Sequence, residues 1–376
     1  MDRAPNVNEL SKTPGTVVRD AMEERGWSQS DLAYALGSTT AAINQILSDK
    51  RGISHNMARA LGVALGQPPE MFARIQAEWD VRNAEAPDYG VAARARILTQ
   101  YPLREMIKRG WIDPEHGQGS LEEQICKFFE VKNLDEVPHL AHSAKKTNYE
   151  ELPPSQLAWL FRVREIASEM RVGPYDPSRL RDAISTLADL RTDPTNVYRV
   201  PKLLNEAGVR FVVVETLPGS KIDGVCFWLA PNAPVVGMSL RFDRIDNFWF
   251  VLRHECAHVL HGHGKDAAIL DEDVAAPDGQ TISEEERIAN NEAADFCVPS
   301  RDMTSFYLRK KPLFSERDVL AFATRVKVHP GLVVGQLQRL LDRYDLLRKH
   351  LVKVRSHLAN AMMMDGWGDV IPVNRT

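Results

Sequence analysis

His254, Glu255 and His258 stand as His-Glu-Cys-Ala-His inside the run 246–263, and no other feature restricts the fold of this chain as tightly. On an α-helix, positions four apart project from nearly the same face, so both imidazoles can reach one metal ion while Glu255 points to its open side. Hydrolysis is the chemistry that suits this arrangement. A zinc ion held by three protein ligands keeps a place for water, lowers its pKa and polarises a peptide carbonyl, and Glu255 takes the proton. The surrounding pattern predicts a buried amphipathic helix: Phe248, Leu252, Val259 and Leu260 recur at three-and-four spacing, and Asp243 or Asp246 is placed to cap its start. His261 and His263 read as solvated residues favoured by the helix C-terminal dipole.

The third ligand has to come from the acidic stretch 283–296. Ile288, Ala289, Glu292, Ala293 and Phe296 mark one inward face of a helix, and both Glu286 and Glu292 share it. Periodicity leaves these two as candidates. Glu284 and Glu285 read as first-turn acids that favour the helix N-terminus.

The run 246–263, followed by Glu286-Arg-Ile-Ala289-Asn290 and Ala294-Asp-Phe-Cys-Val-Pro299, resembles the ImmA/IrrE family of zinc peptidases. The resemblance implies Glu286 as third ligand, with Asn290 one turn later as its supporting partner. Glu292 stands where that family usually carries a hydrophobic residue, which keeps it as an alternative. Members of the family remove repressors by proteolysis, and this chain is expected to act similarly.

At the other end, 16–25, 28–36, 39–47 and 54–65 read as four short helices separated by Gly26, Gly37 and Gly52, with Ser28 and Ser38 as N-caps. The stretch 29–47 has the form of a helix-turn-helix. Ala33, Leu36, Ile43, Ile46 and Leu47 can pack the pair together, which leaves Thr39, Thr40, Asn44 and Gln45 outside on the second helix as short donors and acceptors suited to base edges. The segment from Pro14 to about Ala84, including Lys50-Arg51-Gly-Ile-Ser and the ending 68–79, resembles the HigA-type antitoxins among XRE-family repressors. That match implies Gln29, Lys50 and Arg51 as phosphate contacts and a homodimer on operator DNA, since one module reads one half-site. Acids slightly outnumber bases across 1–80, so phosphate attraction has to be local.

Between the ends, 101–110, 120 onward, 155–170 and 177–191 read as helices, with Trp111, Phe128, Phe129, Trp159 and Phe161 as core. The pattern shifts at Asn196. A helix to Ala207 is followed by strands at 209–215, 224–230 and 234–240, the last an expected edge strand able to hold an extended peptide beside the zinc helix. Further helices are expected at 315–326 and 330–343, with His329 making structural bonds at a helix start, and 339–355 reads as a solvated amphipathic helix.

The fold class expected is α+β and mainly helical. It comprises a helix-turn-helix domain (1–84), a helical linker domain (85–195), a zincin-like domain with a small sheet (196–345) and a helical tail (346–376). Four cysteines without paired spacing imply a reducing interior, with Cys256 and Cys297 as small core residues. No signal peptide and no membrane-length apolar run stand out, so a cytoplasmic protein is expected. The function expected is an antitoxin-like transcriptional regulator whose Zn2+ domain cleaves a protein partner or its own repressor module. The alternative is a repressor whose peptidase-like domain binds a toxin or senses a ligand without hydrolysis.

Overall fold

The computed structural model describes residues 12–85, 89–134, 136, 138, 152–265, 268–272 and 283–371. The chain divides into two compact units, residues 1–92 and 93–376.

In the first unit, α1 (Pro14–Glu23), α2 (Gln29–Ala35), α3 (Thr40–Leu47), α4 (His55–Leu65) and α5 (Pro69–Asn83) surround Val18, Leu32, Ile43, Ile46, Leu61 and Phe72. Each start has a chemical reason. Thr13 and Ser54 accept from the backbone N–H of the third residue of α1 and α4, and Ser28 forms a capping box with Asp31. The cap of α3 is Thr39, one residue beyond the expected Ser38, with its hydroxyl accepting from Ala42 N at 3.2 Å. Proline at the start of α1 fixes φ for the helix and moves it two residues ahead of the expected Thr16.

The division falls within α6 (Tyr89–Gln100). The second unit continues through α7 (Leu103–Lys108), α8 (Leu121–Phe128), α9 (Pro154–Glu169), α10 (Pro177–Leu190) and α11 (Val200–Glu206) to β1 (Arg210–Val213), β2 (Ile222–Trp228) and β3 (Pro234–Met238). Then follow α12 (Ile245–His261), β4 (Ile269–Glu272), α13 (Glu284–Cys297), α14 (Ser300–Lys310), α15 (Glu316–Val326), α16 (Pro330–Leu341) and α17 (Arg355–Ala359). Four strands form one mixed sheet in the order β1-β3-β2-β4, with β1 parallel to β3 and β2 antiparallel to both β3 and β4.

Alternation along the strands splits the interior into two layers. Phe211, Val213, Cys226, Val236 and Met238 face a core shared with Phe248, Trp249 and Leu252 of α12, whereas Val212, Val225, Phe227 and Val235 face one shared with Trp159, Phe161 and Val163 of α9. Trp111, Phe128 and Phe129 belong to this second layer, as core residues should. The helical middle region therefore covers a face of the sheet and is not set apart from it. Every residue of β2 is buried, as expected of a strand covered on both sides.

Four expectations need correction. The strand at 234–240 is not an edge. The β2–β3 hairpin leaves one side of β3 open, β1 takes it, and among the described residues the sheet ends instead at β1 and β4. Neither Asp243 nor Asp246 caps α12: Arg244 occupies that position without a side-chain cap bond, Asp246 pairs with Arg244 at 2.6 Å, and Asp243 accepts from Val354 N and Arg355 N. Nor is 339–355 one helix. Asp342 and Leu347 adopt positive φ, which ends α16, and only a short 3-10 turn and α17 follow. The remainder of the C-terminal segment is not a helical tail: Asp365 bridges to Val214 beside β1 and ion-pairs with buried Arg162. Among the described residues, no helix is long and apolar enough to cross a membrane.

Candidate metal centre and nucleic-acid interface

α12 is apolar on nearly every side, so its polar motif is carried into the interior, and His254, Glu255 and His258 are all fully buried. The imidazoles meet as the four-residue spacing requires, with Nε2 atoms 3.0 Å apart. Glu286, in the first turn of α13, places Oε2 3.3 Å from His254 Nε2 and Oε1 3.4 Å from His258 Nε2. Two imidazole nitrogens and a carboxylate are donors that zinc takes, and the Glu286 oxygen nearer to each histidine lies at about the 3.3 Å that separates ligand atoms around a tetrahedral zinc. The same three residues form a group able to hold a metal ion.

Burial opposes ionisation of Glu286, but hydrogen bonds from His254 and His258 outweigh it and hold its carboxyl well below the ordinary glutamate value. The site opens through this residue, whose side chain remains 25% exposed. Glu292 is engaged elsewhere, with Arg253 at 2.5 Å and His261 at 2.7 Å. The structure thus brings Glu286, and not Glu292, to the two histidines. Asn290 follows one turn later, and its buried Oδ1 has no hydrogen-bond partner among the described residues.

Two further residues bear on the site, and helical spacing indicates neither of them. His263, expected to be solvated, lies with Nδ1 3.0 Å from His258 Nδ1, and burial lowers its pKa. The contact follows from Gly262, which closes α12 at φ 72, and from Trp228 Nε1, which donates to the His263 carbonyl at 2.8 Å. His263 lies past the helix end, so helical periodicity could not have found it. Gly224 is the second. A Cβ there would run into Glu255 Oε1, and the visible signal was a glycine within an apolar strand, which often marks close approach. His329 caps α16 by accepting from Gly331 N, and Cys256 and Cys297 are buried, their thiols pushed up to about 12.

In the first unit, Gln29, Thr39, Thr40, Asn44, Gln45, Lys50 and Arg51 are all exposed. The N–H groups of Lys50 and Arg51 both donate to the Gln45 carbonyl, folding the basic pair back over the end of α3. That end is fixed further by Arg19, which donates to the Leu47 carbonyl at 2.9 Å, and by Asp49, which accepts from Gly15 N at 2.7 Å.

Residues 18–72 match the helix-turn-helix family, and all seven of these positions lie inside the match. The chain is similar to the uncharacterized HTH-type transcriptional regulator YddM of Escherichia coli (strain K12), at 26% identity over 87 residues that span 23% of this chain and 92% of the relative. It is also similar to virulence-associated protein A' of Dichelobacter nodosus, at 35% identity over 98 residues that span 26% of this chain and 83% of the relative. The chain belongs to the XRE-type helix-turn-helix family of DNA-binding proteins. Each of the two relatives spans about a quarter of it.

Proposed function

We propose that this protein is a transcriptional regulator that joins operator binding, as a homodimer, to zinc-dependent cleavage of a protein. The substrate is a partner or its own repressor module. The observation that carries the peptidase half is the convergence of His254 Nε2, His258 Nε2 and the Glu286 carboxylate, with Glu255 buried on the same helix. A zinc ion held there would supply a Lewis acid and an acidified water. The chain's own residues divide the remaining work. His254 and His258 would hold the ion through neutral imidazoles, Glu286 would add the anionic ligand, and Glu255, whose carboxylate lies against Gly224, would accept the proton. β4, the last strand of the sheet among the described residues, can pair with an extended peptide. This assignment is in keeping with the resemblance to the ImmA/IrrE peptidases and the antitoxin-like first unit.

The full burial of His254, Glu255 and His258 favours a second reading, in which the fold holds a toxin or senses a ligand without hydrolysis. One experiment separates the two. Zinc-loaded parent and Glu255→Gln proteins are incubated with the full-length chain and with a mixed-sequence peptide library, and fragments are measured by mass. Cleavage by the parent that falls about 100–10,000-fold in the variant, at equal zinc content, fits the loss of a general base. Equal cleavage by both proteins excludes this peptidase mechanism, and absence of fragments in every mixture leaves the binding reading.

A further inference from the structure

The first turns of α12, with α14 and α16, enclose a cavity of about 360 Å3, a size suited to a small ligand. Phe250, Met303, Leu332 and Leu340 supply apolar walls. Most of its polar groups already have partners. Arg244 is paired with Asp246 at 2.6 Å, and Gln336 donates to the Ala294 carbonyl at 2.6 Å. Arg339 differs. Its guanidinium lies over the Phe250 ring, 5.5 Å from the centroid, and it makes no ion pair or hydrogen bond with a side chain or backbone carbonyl among the described residues. Asn247 also lines the cavity with its amide uncommitted among those residues.

An unpaired guanidinium beside apolar surface attracts an anion, and its planar fork matches a carboxylate. Arg244 and Asp246 also line the cavity but neutralise each other, so the charge left for an occupant is that of Arg339, and the apolar walls match the rest of it. We propose that this cavity binds an amphipathic carboxylate, with an aliphatic or aromatic body against Phe250, Met303 and Leu332 and its carboxylate on Arg339 and Asn247. Such a group is carried either by a free organic acid or by the C-terminus of a peptide ending in an apolar residue. Phe250 stands one helical turn before His254, with the two rings inclined at 25° and their centroids 6.3 Å apart, so an occupant rests close to the candidate metal ligands. The proposal needs no zinc and no hydrolysis.

Calorimetric titration of the full-length protein with octanoate, octanol and N-acetyl-Ala-Phe tests it. A carboxylate should bind saturably, with octanol at least about tenfold weaker than octanoate, as expected for losing a charge-assisted hydrogen bond. Tighter binding of N-acetyl-Ala-Phe than of octanoate identifies a peptide terminus, and the reverse order identifies a free acid. Arg339→Met should bring octanoate down to the level of octanol, while Arg339→Lys retains part of the difference. Thr304→Trp, placed at the exposed rim, should block the carboxylates and octanol alike without shifting the thermal midpoint. No saturable binding of either carboxylate, or parent-like affinity in Arg339→Met or Thr304→Trp, overturns the proposal.

Discussion

In the helix-turn-helix unit, all seven residues expected to meet DNA lie within positions 29–51 and are exposed, whereas the candidate ligands of the second unit sit at 254, 258 and 286, with both histidines wholly buried. The first surface is what the core leaves outside. Ile43, Ile46 and Leu47 turn inward, and Thr40, Asn44 and Gln45 then have nowhere to go but solvent. The second is an interior feature. Its donor atoms stay within reach of one another because α12 and α13 are packed there, so changing a ligand also disturbs a buried polar cluster. Exchange at the exposed surface should alter binding with little effect on folding, while exchange at the buried cluster should do both.

The largest effect expected is on metal affinity. Glu286→Gln should weaken zinc binding by more than the about 10–100-fold typical of losing a residue that only supports a ligand, and Glu292→Gln should weaken it by less. Competition with a chromophoric chelator measures both, and a loss confined to Glu292→Gln would break the comparison at its buried end.

On the exposed surface, Asn44→Ala and Gln45→Ala should each reduce discrimination between operator and random DNA by about 1–3 kcal/mol. Lys50→Ala should instead weaken both and lower the salt slope by about one. Gel shifts across a salt series distinguish the two patterns, and equal behaviour of the three variants would mean that α3 holds DNA without reading it.

A smaller effect tests whether the exposed site relies on hidden packing. A Cβ at Gly15 would stand 2.5 Å from the Leu47 carbonyl oxygen and 2.7 Å from that of Ile46, main-chain atoms that cannot swing aside. Gly15→Ala should destabilise the first unit by about 1–3 kcal/mol in a denaturant titration and leave zinc affinity unchanged.

The smallest effect expected is in acid. Burial opposes ionisation of Glu292, but hydrogen bonds from His261 and Arg253 hold its carboxyl below the ordinary value. A folded value lower than the unfolded one contributes stability that is fully present above about pH 4.3 and is lost as pH falls through the folded value. Glu292→Gln should flatten the acid limb of thermal stability, and an unchanged limb would show that this partly exposed cluster contributes nothing measurable.

Glu286 and Glu292 show what helical phase leaves open. Period counting placed Glu286 and Glu292 on one face of α13, and the resemblance to a peptidase family pointed to Glu286. Helical phase gives the direction of a side chain and not which neighbour it meets. Arg253 and His261 hold Glu292, and those contacts depend on how α12 and α13 pack. The same limit explains the misplaced edge strand, because local alternation marks a strand and its faces but carries no information on which partner closes each side.

By itself the sequence determined whatever depends on neighbours within a few residues. These features include the cap at Ser28, the helical phase that brings His254 and His258 onto one face, and the split of α3 into core and exposed positions. Tertiary structure decided the rest: β3 as a central strand, α9 as a layer on the sheet, the broken C-terminal helix, His263 against His258, and Gly224 beneath Glu255. The physical reason is range. Backbone capping and side-chain periodicity act over one or two turns, while burial, strand order and ion pairing are set by segments far apart in the chain.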